Sequence, residues 1–203
     1  MDLVLFGIQG SGKGTQAKRL AAEQGYEIFE AGGALRNIAA LAPRSSPRAS
    51  EVGSVTQKQL ELARTVKSFI DVGKLVPHEI IMDVLRDAIQ AQPLSQKILF
   101  DGVPRDLDQM RDFNAIMGKL GRDFRCMHIT LDPEEGVRRI LKRAEIEGRR
   151  DDASEETIRK RMRTFTEKTM PVIRVYEAAG KVTKVDGRGS MEEIYERLLS
   201  TFA

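Results

Sequence analysis

The chain has 203 residues, 41% hydrophobic and 31% charged, which suits a soluble protein with one sizeable core and small appended subdomains. Its 33 basic and 30 acidic residues leave a net charge of +3, but the arginines are interleaved with acids and aromatic rings make up only 5%, so a nucleic-acid partner is not expected. No apolar run approaches the ~20 residues of a membrane helix, the first residues lack the basic start and long apolar core of a secretory signal, and Cys126, the one cysteine, can build neither an internal disulfide nor a zinc site alone; a reducing compartment, the cytoplasm, is expected, with no membrane partner.

In chain order, a strand is expected at residues 2–6, near-continuously apolar as a strand covered on both faces must be. A glycine-rich turn leads into a helix over 13–24, and a second strand follows at 26–29. Leu41-Ala42-Pro43-Arg44-Ser45-Ser46-Pro47-Arg48-Ala49-Ser50 is rich in Pro, Ser and Arg and reads as an exposed loop. A helix over 57–72 carries Leu62, Val66, Phe69 and Ile70 at helical spacing and stops at Gly73. Pro77 opens a helix over 78–91. Then come a strand at 97–101, a helix over 106–120, a strand at 126–131 and helices over 133–147 and 155–179, with Gly180 as a C-cap. A strand at 181–186 and a helix over 191–202 end the chain. Strands alternating with helices predict an α/β fold, a parallel sheet with helices on both faces, whose ligands sit beyond the strand C-termini.

The turn after the first strand is Gly7-Ile8-Gln9-Gly10-Ser11-Gly12-Lys13-Gly14-Thr15. Strand, glycine-rich loop and helix start are the context of a P-loop. Glycines let backbone N–H groups converge on phosphate oxygens, the helix N-terminus adds donors and a positive dipole end, and Lys13 adds a point charge. Asp101, at the end of Lys97-Ile98-Leu99-Phe100-Asp101, suits an acid that holds Mg²⁺ through water. Phosphoryl transfer spreads negative charge over oxygens, so positioned cations are its main devices. Arg139 and Arg143 share a helix face, Arg36 and Arg105 follow the second and third strands, and Arg149 and Arg161 flank Asp151-Asp152. Arg138, Lys142, Arg159 and Arg163 are better read as solvated helix faces.

These motifs together resemble the adenylate kinases, within the nucleoside monophosphate kinase family. Gly7 to Gln16 is similar to their Gly-Lys-Gly-Thr-Gln loop, which accounts for Thr15 standing one place beyond the usual hydroxyl position. Asp101-Gly102-Val103-Pro104-Arg105 matches an Asp-Gly-Phe/Tyr-Pro-Arg signature with Val103 in place of the aromatic. Gly73-Lys74-Leu75-Val76-Pro77, Leu141-Lys142-Arg143, Gly148-Arg149-Arg150-Asp151-Asp152 and Glu155-Glu156-Thr157-Ile158-Arg159-Lys160-Arg161 extend the likeness nearly end to end.

The resemblance implies a P-loop five-stranded fold, a monophosphate-binding subdomain at residues 30–73 with an inserted loop at 41–56, and a short lid at 142–153 that lacks the cysteines of zinc-bearing members. It implies transfer from ATP to AMP giving two ADP, with Mg²⁺ carried by ATP, no structural zinc, and a monomer. Gly10, Ser11, Gly12, Lys13, Gly14, Thr15, Arg143 and Gly189 would bind ATP. Ala31, Arg36, Lys74, Leu75, Val76, Gly102, Arg105, Gln109, Arg149 and Arg161 would bind AMP. Lys13, Arg105, Arg143, Arg149 and Arg161 would be catalytic, and His78 and His128 would not, because an anionic acceptor phosphate needs no general base. Three departures stand out: Glu30-Ala31-Gly32-Gly33 replaces Ser-Thr-Gly-Asp, the span from Arg36 to Gly73 is long, and Gln9 stands where proline is common. A pyrimidine monophosphate kinase, whose members often carry Ala at the position of Ala31, and a non-catalytic nucleotide-binding protein are the alternatives.

Overall fold

The structure, a computed structural model, describes residues 1–42, 56–71, 76–147 and 154–202. Residues 43–55 of the inserted loop expected at 41–56, Gly73, Lys74 and Leu75, and the lid residues 148–153 with Arg149 lie outside the described residues. In chain order the elements are β1 (Asp2–Gly7), α1 (Lys13–Gln24), β2 (Tyr26–Glu30), α2 (Ala31–Ala40), α3 (Gln57–Ile70), α4 (His78–Gln90), β3 (Lys97–Asp101), α5 (Leu107–Lys119), β4 (Phe124–Thr130), α6 (Pro133–Glu147), α7 (Glu155–Thr164), a π-helical turn (Phe165–Thr169), α8 (Met170–Ala178), β5 (Val182–Asp186) and α9 (Met191–Ser200). The chain divides into two compact units, one of Met1–Phe29 with Gln92–Ala203 and the other of Glu30–Ala91.

The sheet runs β2-β3-β1-β4-β5, and β1 pairs parallel with β3 on one side and β4 on the other. All six residues of β1 are buried. Side chains alternate across a strand, so β1 and β4 feed two cores. Leu3, Leu5, Met127 and Ile129 pack with Ala17 and Leu20 of α1 and with Ile194, Tyr195 and Leu198 of α9. On the other face the rings of Phe100, Phe113, Phe124 and Tyr176 meet edge to face in sequence, with centroids 5.0, 4.9 and 5.5 Å apart, which joins α5 and α8 to the sheet. Cys126 lies fully buried on β4, and burial pushes its thiol up to about 12, so it stays protonated. In the second unit, α3 is entered through a capping box in which Thr56 and Gln59 satisfy each other's backbone N–H groups. The stripe Met82, Leu85 and Ile89 is the buried face of α4.

Two expectations need correction. Residues 31–40 form a helix that the sequence pattern did not suggest, because Gly32 and Gly33 each cost about 1 kcal/mol in a helix and hide the Leu35 and Ile38 spacing. The expected single helix over 155–179 is interrupted by the π turn, in which the Met170 N–H donates to Phe165 O five residues back. Pro171, in the first turn of α8, has no N–H and its ring crowds the carbonyl a turn earlier, so the α-helical ladder cannot run through it.

The sheet is pinned at its N-terminal edge by a buried ion pair. Arg122 grips Asp2 with Nε to Oδ2 at 2.7 Å and Nη2 to Oδ1 at 2.9 Å, while Asp2 Oδ1 also accepts the Ile98 N–H at 2.8 Å. Arg122 donates as well to the Gln96 and Pro93 carbonyls, so β1, the approach to β3 and the approach to β4 share one polar knot. Arg122→Met should therefore strand the Asp2 carboxylate and destabilise the protein by about 3–5 kcal/mol in urea unfolding. A loss under about 1 kcal/mol, the size of an exposed pair, would show that the knot is dispensable.

Candidate active site

Strand β1 delivers the chain to the phosphate loop. Gly10 and Gly12 have φ of 82° and 87°, the left-handed region open to glycine, and Gly12 caps α1 without a side-chain hydrogen bond. The Thr15 N–H turns back to Gly12 O at 3.0 Å, and no side-chain cap takes the Lys13 and Gly14 N–H groups ahead of it, which suits them to an anion. A Cβ on Gly10 would lie 2.6 Å from Gly136 O, and one on Gly136 would lie 2.9 Å from Gln9 O. The loop and the start of α6 therefore touch backbone to backbone, which fixes the helix that carries Arg139 and Arg143. In the sequence, Gly136 is marked only as a glycine inside a helical pattern, which is a usable sign of such close approach.

Lys13 Nζ sits 2.9 Å from Asp101 Oδ1. The pair forms because β1 and β3 are parallel neighbours in register, Leu5 opposite Asp101, so the loop after β1 and the end of β3 open at the same edge. Ser11 is buried, and its Oγ has no hydrogen-bond partner among the described residues. Thr15 is exposed at the helix start.

The loop after β5 is held from two helices. Arg139 of α6 donates to Gly187 O at 3.0 Å and to Glu135 at 2.8 Å, and Arg197 of α9 donates to Asp186 O at 2.9 Å. Arg188 pairs with Asp186 and holds that carboxyl down at about 2. Gly189 takes φ of 97°. The expected Gly189 is therefore set by two arginines that the sequence reading did not connect to it. Their distance along the chain hides the link, and only the strand-end Asp186-Gly187-Arg188-Gly189 turn hinted at it.

A second group forms after β3. Gly102 has φ of 82°, Val103 and Pro104 are buried across a cis peptide bond, and Arg105 is exposed with its Nε donating to Gly102 O at 2.7 Å. Gln109 is buried on α5, and its Oε1 accepts the Arg105 N–H at 2.8 Å. Thr169 of the π turn donates its hydroxyl to Arg105 O at 2.8 Å. Arg143 of α6 and Arg161 of α7 are exposed.

In the second unit Ala31 opens α2 and is buried, as is Val76. Arg36 and Glu30 make an exposed pair, Nη2 to Oε1 at 3.1 Å. A Cβ on Gly33 would come within 2.9 Å of the Glu30 carboxylate, so the departure from the family's acidic residue at Gly33 leaves room for the carboxylate of Glu30.

Other polar groups are better explained by packing. His128 is buried on β4 beside Phe165, and burial lowers its pKa, so the ring is neutral. Arg159 bridges Glu134 and Glu155 on the surface, and Arg138 pairs with Glu135. Among the described residues no group of three or more His, Cys, Asp or Glu is placed to hold a metal ion, and no helix is long and apolar enough to cross a membrane.

The comparisons with known proteins agree with this geometry. A family model described as "Adenylate kinase" matches residues 5–181. The chain is 36% identical over 197 residues to an adenylate kinase of Thermus thermophilus, an alignment covering 97% of this chain and 94% of that protein. It is 33% identical to an adenylate kinase of Bacteroides fragilis, covering 97% and 95%, and 34% identical to adenylate kinase isoenzyme 1 of Sus scrofa, covering 97% and 91%. With the phosphate loop, its Lys13–Asp101 pair and the five-stranded parallel sheet already in place, the chain belongs to the adenylate kinase family.

Proposed function

We propose that this chain catalyses reversible phosphoryl transfer from ATP to AMP, giving two ADP, with Mg²⁺ carried by the triphosphate. The observation that carries the reading is the convergence of the Gly10–Gly12 turn, Lys13 and Asp101 at one edge of a parallel sheet. A structural ion pair would not need a glycine turn and an uncapped helix start beside it. The three relatives named above are adenylate kinases, and a pyrimidine kinase or a non-catalytic binder has no comparable support.

Gly10 to Thr15 are assigned to the donor phosphates, with Arg143 and Gly189 toward the same nucleotide. Arg105, Arg149 and Arg161 are assigned to the acceptor and transferring phosphates, Gly102 and Gln109 to the acceptor, and Ala31, Arg36, Lys74, Leu75 and Val76 to the same ligand from residues 30–76. Residues 142–153 are assigned as the lid and 30–73 as the acceptor subdomain. Asp101 fits Mg²⁺: it is a half-buried carboxylate at a strand end, beside the phosphate loop, and it would hold the ion through water. When bound, the ion neutralises charge on the β- and γ-phosphoryl oxygens. The single cysteine supports a reducing, cytoplasmic setting, and one chain carrying every assigned residue supports a monomer.

An oxygen of the AMP phosphate attacks the γ-phosphorus, the bond to the ADP oxygen breaks, and no proton has to be removed from the nucleophile. Catalysis is then positioning and charge stabilisation. Lys13 balances charge between transferring and retained phosphates. The arginines stabilise the equatorial oxygens as the lid excludes water.

Lys13→Met should leave the fold intact and lower kcat by about 10²–10³ or more, because a positioned charge is lost where charge develops. Activity within a fewfold of wild type would rule out this role. Arg143→Ala and Arg149→Ala should lower kcat more than they raise KM, since lid cations engage fully in the reacting state; a change in KM alone would remove that residue from the lid assignment. For the acceptor base, Gln109 Oε1 has a second lone pair beyond the one taken by Arg105, and its NH₂ is a donor, so the amide can still pair with adenine at two points. A coupled assay across AMP, CMP, UMP and GMP should give AMP the highest kcat/KM, and Gln109→Ala should erode that preference by about 1–3 kcal/mol, the worth of a bidentate contact. A pyrimidine preference in the wild type would overturn the acceptor assignment.

A further inference from the structure

The π turn between α7 and α8 presents one buried polar side chain, and its hydroxyl reaches a residue assigned to the reaction. Thr169 is 7% exposed and donates to Arg105 O at 2.8 Å across 64 positions of sequence. Arg105 is held at two further points: its N–H by Gln109 Oε1 at 2.8 Å, and its side chain by Gly102 O at 2.7 Å, itself fixed in a left-handed turn. Both polar ends of the Arg105 residue, amide and carbonyl, are thus bonded to buried side chains of two different helices. That is more than packing requires for an exposed arginine after a strand, since water would satisfy its backbone. It is what a guanidinium needs if its fork must meet phosphate oxygens in one orientation.

The π turn is the means. Its hydrogen bond closes over five residues, Met170 N–H to Phe165 O, where an α turn closes over four. The extra residue changes which side chains follow on the buried side and brings Thr169 to Arg105. The same turn continues α7, the helix that carries Arg161.

We propose that Thr169 is a positioning residue for phosphoryl transfer: through its hydroxyl bond to the Arg105 carbonyl, it sets the Arg105 guanidinium for the acceptor and transferring phosphates. The inference rests on the assignment of Arg105 to those phosphates. Pro171 breaks the α-helical ladder but does not dictate that the break takes the π form, and the proposal gives that form a purpose.

The test uses the full chain with Thr169→Val, which keeps the shape and removes the donor, Thr169→Ala as a second hydroxyl-free variant, and Thr169→Ser, which restores the donor. The Val and Ala variants should lose about 10- to 100-fold in kcat/KM for AMP with KM for ATP near the wild-type value, and the Ser variant should recover most of the loss. In an Arg105→Ala background, Thr169→Val should cost almost nothing more, because the residue it positions is gone. Undiminished AMP kinetics in both hydroxyl-free variants, an equal loss for both nucleotides, or a full additional loss in the Arg105→Ala background would overturn the proposal while leaving the Arg105 assignment intact. Near wild-type activity of Arg105→Ala itself would overturn that assignment, and the proposal with it.

Discussion

A strand buried along its whole length can carry polar chemistry only at its ends, and β1 is such a strand. Its apolar side chains serve both cores, so neither face has room for a catalytic group. At the N-terminal end Asp2 is neutralised inside the protein by Arg122 and by the Ile98 N–H. At the C-terminal end the chain turns through glycines into α1. Parallel pairing with β3 then places Asp101 at the same edge as Lys13, and parallel pairing with β4 delivers α6 to the phosphate loop. The register held by the Asp2 knot at one end therefore bears on the charge geometry at the other.

Glycine has two distinct uses at this edge. Gly10 and Gly12 adopt left-handed backbone, which shapes the loop, and Gly10 with Gly136 allows two backbones to meet without side chains between them. The second use matters for the arginines. The helix that rests directly on the phosphate loop carries Arg139 and Arg143, and Arg139 in turn secures the turn after β5. Charge is placed here by rigid elements, which suits a reaction whose catalysis is largely electrostatic preorganisation.

The second unit handles charge differently. Glu30 and Arg36 are largely in solvent, where a pair is worth little to stability. An arginine that is weakly held can exchange its carboxylate for a phosphate at small cost. Arg105 is the contrast: its backbone N–H and carbonyl are bonded to Gln109 and Thr169 while the residue itself is exposed.

Much of the fold could be read from residue order. Apolar runs of five or six residues separated by helical periods give a parallel α/β sheet, because a strand covered on both faces has no polar side to show. Gly10-Ser11-Gly12-Lys13 after such a run means a phosphate loop, because backbone donors, glycine freedom and a helix start coincide at one place. Asp101 stands out in the same way, as an acid at the end of β3, whereas Arg105, four residues on, is singled out through the Asp-Gly-Val-Pro-Arg resemblance. What stayed hidden was set by contacts between distant segments. Helix α2 forms despite Gly32 and Gly33, and the π turn at Phe165–Thr169 forms where Pro171 breaks the ladder. The grips of Arg139 and Arg197 on the turn after β5, of Arg122 on Asp2 and of Thr169 on Arg105 join residues that share no local pattern. Local sequence determines which backbone shapes and charges are available, since propensity and glycine freedom act over a few residues. Only the tertiary structure decides which carbonyl each arginine and hydroxyl meets, because that depends on how the helices pack on the sheet.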